Sequence, residues 1–168
     1  MTDDASISQR VGTALAEREE TLAIAESCTG GLVGSLLTDV AGSSAYFDRS
    51  LVTYSYEAKQ ELLAVSRESL DDHCAVSDPV AAEMARGVRD TAGTDWGVAT
   101  TGVAGPTGGS PETPVGTVYI AVARAAPWET GRSDCTVNHY EFGGSRTAIK
   151  AKIARQALSD LLATVQSQ

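Results

Sequence analysis

Two adjacent side chains that can act as nucleophiles, Ser27 and Cys28, stand where an apolar run gives way to glycines. The apolar run at residues 21–25 is typical of a buried strand, and residues 29–33 are typical of the start of a helix. Free N–H groups and the dipole at a helix N-terminus favour negative charge. A strand-to-helix turn with ordinary capping residues would have the same sequence, so the residues alone leave both interpretations open.

A serine attacks only after a base removes its proton, and the chain offers few candidate bases. His73 lies in an acidic stretch and His139 in a predicted strand, so each is explained by a structural role, and a Ser-His-Asp triad is the weaker option. Lys59 is the alternative, because desolvation or nearby cations can lower the pKa of a lysine until it acts as a base. A solvated Lys59 beside Glu57 fits the same sequence.

Lys59, like Ser27, follows a predicted strand, so both could face one crevice at the carboxyl edge of a parallel sheet. Tyr54 would reach the same edge, with packing in the core or a cross-strand pair as the alternative role. The glycine- and proline-rich loop at residues 101–109 begins where another predicted strand ends. Its N–H groups could approach a phosphate or an oxyanion closely, although it matches neither a Walker loop nor a GxGxxG fingerprint. Arg146 could bind phosphate through two hydrogen bonds or pair with a surface carboxylate.

The elements that must position these residues alternate between strand and helix. The patterns predict strands at residues 21–25, 51–55, 96–100, 117–125 and 135–142, and helices at residues 6–20, 29–39, 57–63, 77–93 and 145–165. Two successive strands near the end make the sheet mixed. We therefore predict a three-layer α/β/α sandwich with a mixed, mainly parallel sheet of about five strands, in a single domain spanning residues 1–168.

Composition narrows the class of protein. A formal net charge of -9, from 13 basic and 22 acidic residues, argues against a nucleic-acid partner. The N-terminus resembles no leader peptide, and no apolar run is long enough to span a membrane, so we expect a cytoplasmic protein with no membrane partner. Three cysteines without a CxxC pair suit a reducing compartment, and two histidines without metal-ligand spacing argue against a metal centre. We expect no cofactor, and a homo-oligomer.

Four segments occur in order along the chain: AESCTGG at residues 25–31, VTYSYEAKQELL at residues 52–63, TGVAGPTGGSPETPVGTVYIAVA at residues 101–123 and FGGSR at residues 142–146. Together they resemble the CinA C-terminal domain family, the nicotinamide-nucleotide amidases. The resemblance implies a three-layer sandwich. It also implies hydrolysis of the carboxamide of nicotinamide mononucleotide to nicotinate mononucleotide and ammonia, a salvage step in pyridine nucleotide metabolism. Larger relatives carry an additional N-terminal domain, which we expect this chain to lack.

The resemblance also implies roles for individual residues. Ser27 would be the nucleophile and Lys59 its base. From its position at the same edge of the sheet, we expect Tyr54 to be a third catalytic residue. The N–H groups of residues 28–31 would stabilise the oxyanion, and the loop after residue 101 would hold the ribose and phosphate together with Arg146. The substrate-binding residues expected on this basis are Cys28, Thr29, Gly30, Gly31, Thr101, Gly102, Gly105, Pro106, Gly108 and Arg146.

Three alternatives remain open. Cys28 could replace Ser27 as the nucleophile, because a thiol at a helix N-terminus can have a lowered pKa. The chain could be a non-catalytic nucleotide-binding or assembly module, in which glycines bind phosphate and nothing is hydrolysed. It could also be an amidase for another small carboxamide.

Overall fold

A mixed five-stranded sheet forms the middle layer of the structure, a computed structural model that describes residues 5–168. The strands are β1 (Leu22–Glu26), β2 (Phe47–Val52), β3 (Trp96–Gly102), β4 (Thr117–Arg124) and β5 (Asp134–Glu141), and they lie side by side in the order β2, β1, β3, β4, β5. β2 and β3 pair with β1 in parallel, whereas β4 is antiparallel to β3 and β5 is antiparallel to β4. The carboxyl ends of β1, β2 and β3 therefore meet at one edge of the sheet.

Within residues 5–168, six α-helices cover the two faces of this sheet: α1 (Ile7–Arg18), α2 (Leu32–Thr38), α3 (Tyr56–Leu63), α4 (Arg67–His73), α5 (Asp78–Ala92) and α6 (Arg146–Gln166). One apolar cluster joins α1, α2 and α6 to the first face, and a second joins α3, α4 and α5 to the other. A short 3₁₀ helix, Ser43–Ala45, leads into β2. The predicted α/β/α sandwich with a mixed sheet is thereby confirmed.

The two faces of the sheet carry side chains of different size. Large apolar residues such as Ile24 and Trp96 face α1, α2 and α6, whereas alanines such as Ala25 and Ala99 face α5. The small side chains let α5 pack close to the sheet, because a Cβ atom at Gly97 would lie only 2.1 Å from the carbonyl oxygen of Ala85. α5 is thus held at a short distance from β3.

Several predicted boundaries were wrong. The second strand is Phe47–Val52 rather than residues 51–55, because the chain leaves the sheet after Val52 and Ser55 then caps α3. α2 begins at Leu32 rather than at residue 29, since Gly30 and Gly31 have φ angles of 60° and 100°, outside the helical region. α4 was not predicted.

No helix in the described residues is both long and apolar enough to cross a membrane. Among the same residues, no three side chains of His, Cys, Asp or Glu come together in a group that could hold a metal ion. Residues 1–4, which belong to the predicted domain, lie outside the described residues.

Candidate active site

Ser27 and Lys59 meet at the carboxyl edge of the sheet. Ser27 directly follows β1, and Lys59 lies in α3, whose first turn is capped by the Ser55 side chain. Lys59 Nζ donates to Ser27 Oγ at 3.1 Å and to the carbonyl oxygen of Thr53 at 2.7 Å. The contact between Ser27 and Lys59, which the sequence permitted but did not require, is therefore present. Sequence reasoning missed Thr53, whose carbonyl oxygen also binds the lysine.

Lys59 is 1% exposed, so the alternative of a solvated lysine beside Glu57 is wrong. Burial lowers the pKa of Lys59 from its ordinary value, and the neighbouring Cys28 acts weakly in the opposite direction. Within residues 5–168 no carboxylate forms an ion pair with this ammonium group. The surroundings therefore increase the share of the neutral amine, which is the form that can accept a proton.

Cys28, the rival nucleophile, points into the core. Its side chain is 5% exposed and belongs to the apolar cluster beneath α1, α2 and α6. Burial raises the pKa of the Cys28 thiol to about 12, so the thiolate that a nucleophilic cysteine needs is absent near neutral pH. The structure thus separates two residues that the sequence left equivalent.

Glu26, the last residue of β1, has a structural role that sequence reasoning missed. Its fully buried carboxylate accepts hydrogen bonds from the N–H groups of Gly31 at 2.9 Å, Val33 at 3.1 Å and Gly34 at 2.8 Å, and from Ser50 Oγ at 2.9 Å. The first turn of α2 is thereby capped from within the protein. A substrate anion consequently cannot occupy the N-terminus of α2, and the turn that carries Ser27 is fixed at both ends.

The expected oxyanion donors must be corrected accordingly. Gly31 donates its N–H to Glu26, and Gly30 donates its N–H to the Ser27 carbonyl oxygen at 3.1 Å. In the described part of the chain, the N–H groups of Cys28 and Thr29 donate to no backbone carbonyl oxygen. Thr29 Oγ1 also lies 2.8 Å from Thr100 Oγ1, a buried contact that ties the turn to β3. These two N–H groups are therefore the donors available beside Ser27.

Arg146, the first residue of α6, contacts the loop after β3 and the segment between β2 and α3. Its Nη1 donates to the carbonyl oxygen of Gly105 at 2.6 Å, and its Nη2 donates to Tyr54 Oη at 3.0 Å. Tyr54 is 64% exposed and hydrogen-bonds neither Ser27 nor Lys59, so the structure does not bring it to the dyad as expected for a catalytic residue. Arg146 forms no ion pair within residues 5–168, and its remaining N–H groups are available to a ligand.

The glycine-rich loop begins two residues later than expected. Thr101 and Gly102 are the last residues of β3, and the buried Thr101 hydroxyl donates to the carbonyl oxygen of Ala75 at 2.7 Å. Gly105 and Gly108, with φ angles of 77° and 89°, shape the loop, and Gly108 is exposed together with Pro106. The exposed part of the loop therefore begins at Pro106 rather than at the end of the strand.

Lys150 is a cation that sequence reasoning missed. It lies one turn after Arg146 in α6, and its Nζ is 3.6 Å from the position that a Cβ atom of Gly30 would occupy. The positive charge of Lys150 is close enough to act on the Cys28 thiol. A signal was available in the sequence, because residues four apart on a helix share one face, so Lys150 follows Arg146 toward the same crevice.

Neither histidine contributes to the site. His73 is the last residue of α4, and the exposed His139 stacks on Tyr119 with ring centroids 4.8 Å apart. In the described residues the only side chain that hydrogen-bonds Ser27 is Lys59. A Ser-His-Asp triad is therefore not formed.

The similarity to known proteins extends over almost the entire chain. The model of the CinA C-terminal domain matches residues 4–165. Nicotinamide-nucleotide amidohydrolase PncC of Escherichia coli K12 is 46% identical over 163 residues, which are 96% of this chain and 95% of that protein. A CinA-like protein of Geobacter sulfurreducens is 50% identical over 155 residues, but the chain spans only 36% of its length.

Solved structures agree with this result. A CinA superfamily protein from Klebsiella pneumoniae 700603 superposes with a TM-score of 0.89 and 36% identity, covering 96% of this chain and 97% of that one. The competence/damage-inducible protein CihA of Agrobacterium tumefaciens gives a TM-score of 0.87 and 38% identity, covering 94% and 92%. The resemblance carried by the four sequence segments is confirmed, and the chain belongs to the CinA C-terminal domain family.

Proposed function

We propose that this protein hydrolyses the carboxamide of nicotinamide mononucleotide to nicotinate mononucleotide and ammonia, with Ser27 as nucleophile and Lys59 as general base. The observation that carries the proposal is the 3.1 Å contact between Lys59 Nζ and Ser27 Oγ. The substrate class is supported by the relative from Escherichia coli, which carries the name nicotinamide-nucleotide amidohydrolase and matches along almost its whole length.

Acylation begins with Lys59 in its neutral form. One N–H of the amine stays on the Thr53 carbonyl oxygen, and the lone pair accepts the proton of the Ser27 hydroxyl as Oγ attacks the carboxamide carbon. The N–H groups of Cys28 and Thr29 would stabilise the oxyanion, at roughly 3 kcal/mol for each donor. Lys59 then gives its proton to the amide nitrogen, which leaves as ammonia.

Deacylation uses the same groups. A water molecule attacks the ester formed with Ser27, Lys59 accepts one proton from that water and returns it to Oγ, and the product is released as the nicotinate carboxylate after its remaining acid proton passes to solvent. Arg146 and residues 106–110 would hold the ribose and phosphate. The Glu26 carboxylate keeps the turn rigid through this cycle, so the nucleophile and the two N–H donors need no rearrangement.

The burial of Lys59 weighs against the non-catalytic alternative. Removing an ammonium group from water without a carboxylate partner costs stability, and phosphate binding alone would require no such group beside a serine. Such a cost is typical of catalytic sites, where a shifted pKa serves the chemistry. An amidase for another carboxamide would use the same dyad, so the substrate requires a direct assay.

The test is ammonia release from nicotinamide mononucleotide and a short panel of other carboxamides. Ser27→Ala and Lys59→Met should each lower kcat/KM about a thousandfold or more. Ser35→Ala, an exposed serine on α2, is the matched control and should keep full activity. Near-normal turnover in either dyad variant would refute the mechanism, and faster hydrolysis of another amide would refute the substrate. Thermal stabilisation by the nucleotide without ammonia release would instead support the binding module.

A further inference from the structure

Arg146 and Lys150 present two positive charges to the same crevice from the first turns of α6. They are four residues apart, so they lie on one face of the helix, about 6 Å apart along its axis. Arg146 faces the loop after β3 and Tyr54, whereas Lys150 Nζ lies over Gly30 in the catalytic turn. Arg146 therefore lies beside the loop after β3, and Lys150 lies beside the turn that carries Ser27.

Lys150 differs from the other two lysines in having no hydrogen-bond or ion-pair partner among the described residues. Lys59 is bound to Ser27 and Thr53, and Lys152 Nζ donates to the carbonyl oxygen of Gly143 at 2.6 Å. Within residues 5–168, Lys150 Nζ forms neither a hydrogen bond nor an ion pair, although acidic residues outnumber basic residues by 22 to 13 in the whole chain. A half-buried ammonium group without a carboxylate is suited to an anionic ligand.

The backbone at the start of α6 adds to this charge. Ser145 caps the helix by accepting from the Ala148 N–H, and in the described residues the N–H groups of Arg146 and Thr147 donate to no acceptor. A phosphate monoester carries a charge of about -1.5 to -2 near neutral pH, so one cation alone would leave part of it unpaired. Arg146, Lys150 and the open helix terminus together match that charge.

We propose that Lys150 binds the phosphate of the substrate and so sets a preference for the nucleotide over the corresponding nucleoside. This inference rests on the proposed amidase function. Lys150 is then a specificity-determining residue, separate from the Ser27 and Lys59 dyad. A side chain at Gly30 would project toward Lys150 Nζ, which lies 3.6 Å from the position of its Cβ atom.

The first experiment compares nicotinamide mononucleotide with nicotinamide riboside as substrates. Lys150→Met should lower kcat/KM for the nucleotide about 10- to 100-fold, mainly through KM, and change it less than about threefold for the riboside. Lys150→Arg should restore most of the loss. Arg155→Met, which removes one exposed charge from the same helix away from the crevice, should leave both values unchanged. Equal losses with both substrates, or no loss with either, would overturn the proposal.

A second experiment separates this proposal from the proposed reaction. Calorimetry measures the binding of nicotinamide mononucleotide to Ser27→Ala and to the double variant Ser27→Ala with Lys150→Met. Neither variant should hydrolyse the nucleotide. Binding by the first variant should be about 10- to 100-fold tighter than by the second. If the wild-type protein releases no ammonia, the proposed function fails while this ratio still decides the role of Lys150. Equal binding by both variants, or no binding by either, contradicts that role.

Discussion

Lys59 Nζ contacts Ser27 Oγ at 3.1 Å from a position where the lysine side chain is 1% exposed. An ammonium group loses most of its hydration at such a position, and Thr53 supplies only a carbonyl oxygen in return. The pKa of Lys59 is therefore lowered, and its proton affinity in the folded protein is lower than in the unfolded chain. This lowered pKa affects both the reactivity of Lys59 and the pH dependence of the stability of the protein.

The first prediction concerns pH. Between the lowered pKa of Lys59 and its ordinary value of 10.5, the unfolded chain binds a proton that the folded protein does not, so raising the pH through this interval should increase the free energy of unfolding. Lys59→Met should lack this contribution. Urea denaturation of both proteins at a series of pH values measures it, and a constant difference between the two would contradict the shift. Amidase activity should rise with pH across the lowered pKa.

The second prediction concerns Cys28, whose thiol has its pKa raised to about 12 by burial. Cys28→Ala should keep amidase activity within about threefold and cost about 1 kcal/mol of stability, as for a small change in a packed core. A thiol reagent at neutral pH should modify the exposed Cys74 first, without loss of activity, and Cys74→Ser should abolish this rapid labelling. Rapid labelling of Cys28, or loss of activity in Cys28→Ala, would show that the cysteine takes part.

The sequence predicted those parts of the site that follow from strand ends. Ser27 and Lys59 each come after a strand, and parallel pairing of β1 with β2 brings the two positions to one edge. Glu26 was not predicted, because its role depends on the path of α2 folding back over the end of β1. The spacing of Lys150 from Arg146 placed both residues on one face of α6, but the closeness of that face to the turn at Gly30 depends on the tertiary fold.

The layers of the fold were predicted correctly. Errors in the bounds and number of elements occurred where the local propensity of a segment disagrees with its packing in the folded protein. Thr53 and Tyr54 are strand-forming residues, yet only Thr53 continues the pairing, by donating its N–H to the carbonyl oxygen of Glu26, before the chain turns away. The short helix α4 lies in an acidic segment with little apolar periodicity, and its Leu70 alone is buried. Such elements are decided by packing against α5 rather than by their own sequence.

The third prediction concerns the Glu26 carboxylate. Glu26→Gln keeps the shape of the side chain but places an amide NH₂ against backbone N–H donors. At least one hydrogen bond to a charged acceptor is lost, and two donors face each other. We expect a loss of about 2–4 kcal/mol in the free energy of unfolding, and a lower kcat because the turn at Ser27 loosens. Glu61→Gln, at an exposed position in α3, is the matched control and should change neither quantity. Equal stability of the two variants in urea would contradict the capping role.

The fourth prediction concerns the distance between α5 and α3, which carries Lys59. A Cβ atom at Gly87 would lie 1.9 Å from the carbonyl oxygen of Leu63, the last residue of α3. Helix propensity alone predicts that Gly87→Ala stabilises α5 by about 1 kcal/mol. The clash should instead destabilise the protein by about 2 kcal/mol or more and displace α3.

A displacement of α3 also moves Lys59 relative to Ser27, so Gly87→Ala should lower kcat about 100-fold in the protein that remains folded. Gly143→Ala, where a Cβ atom would meet nothing within 4 Å, serves as the control and should be neutral or slightly stabilising. Urea denaturation and ammonia release at a temperature where both variants are folded give the two measurements. A stabilised Gly87→Ala variant with full activity would show that the close approach of α5 to Leu63 does not fix the position of α3, and that the position of Lys59 does not depend on it.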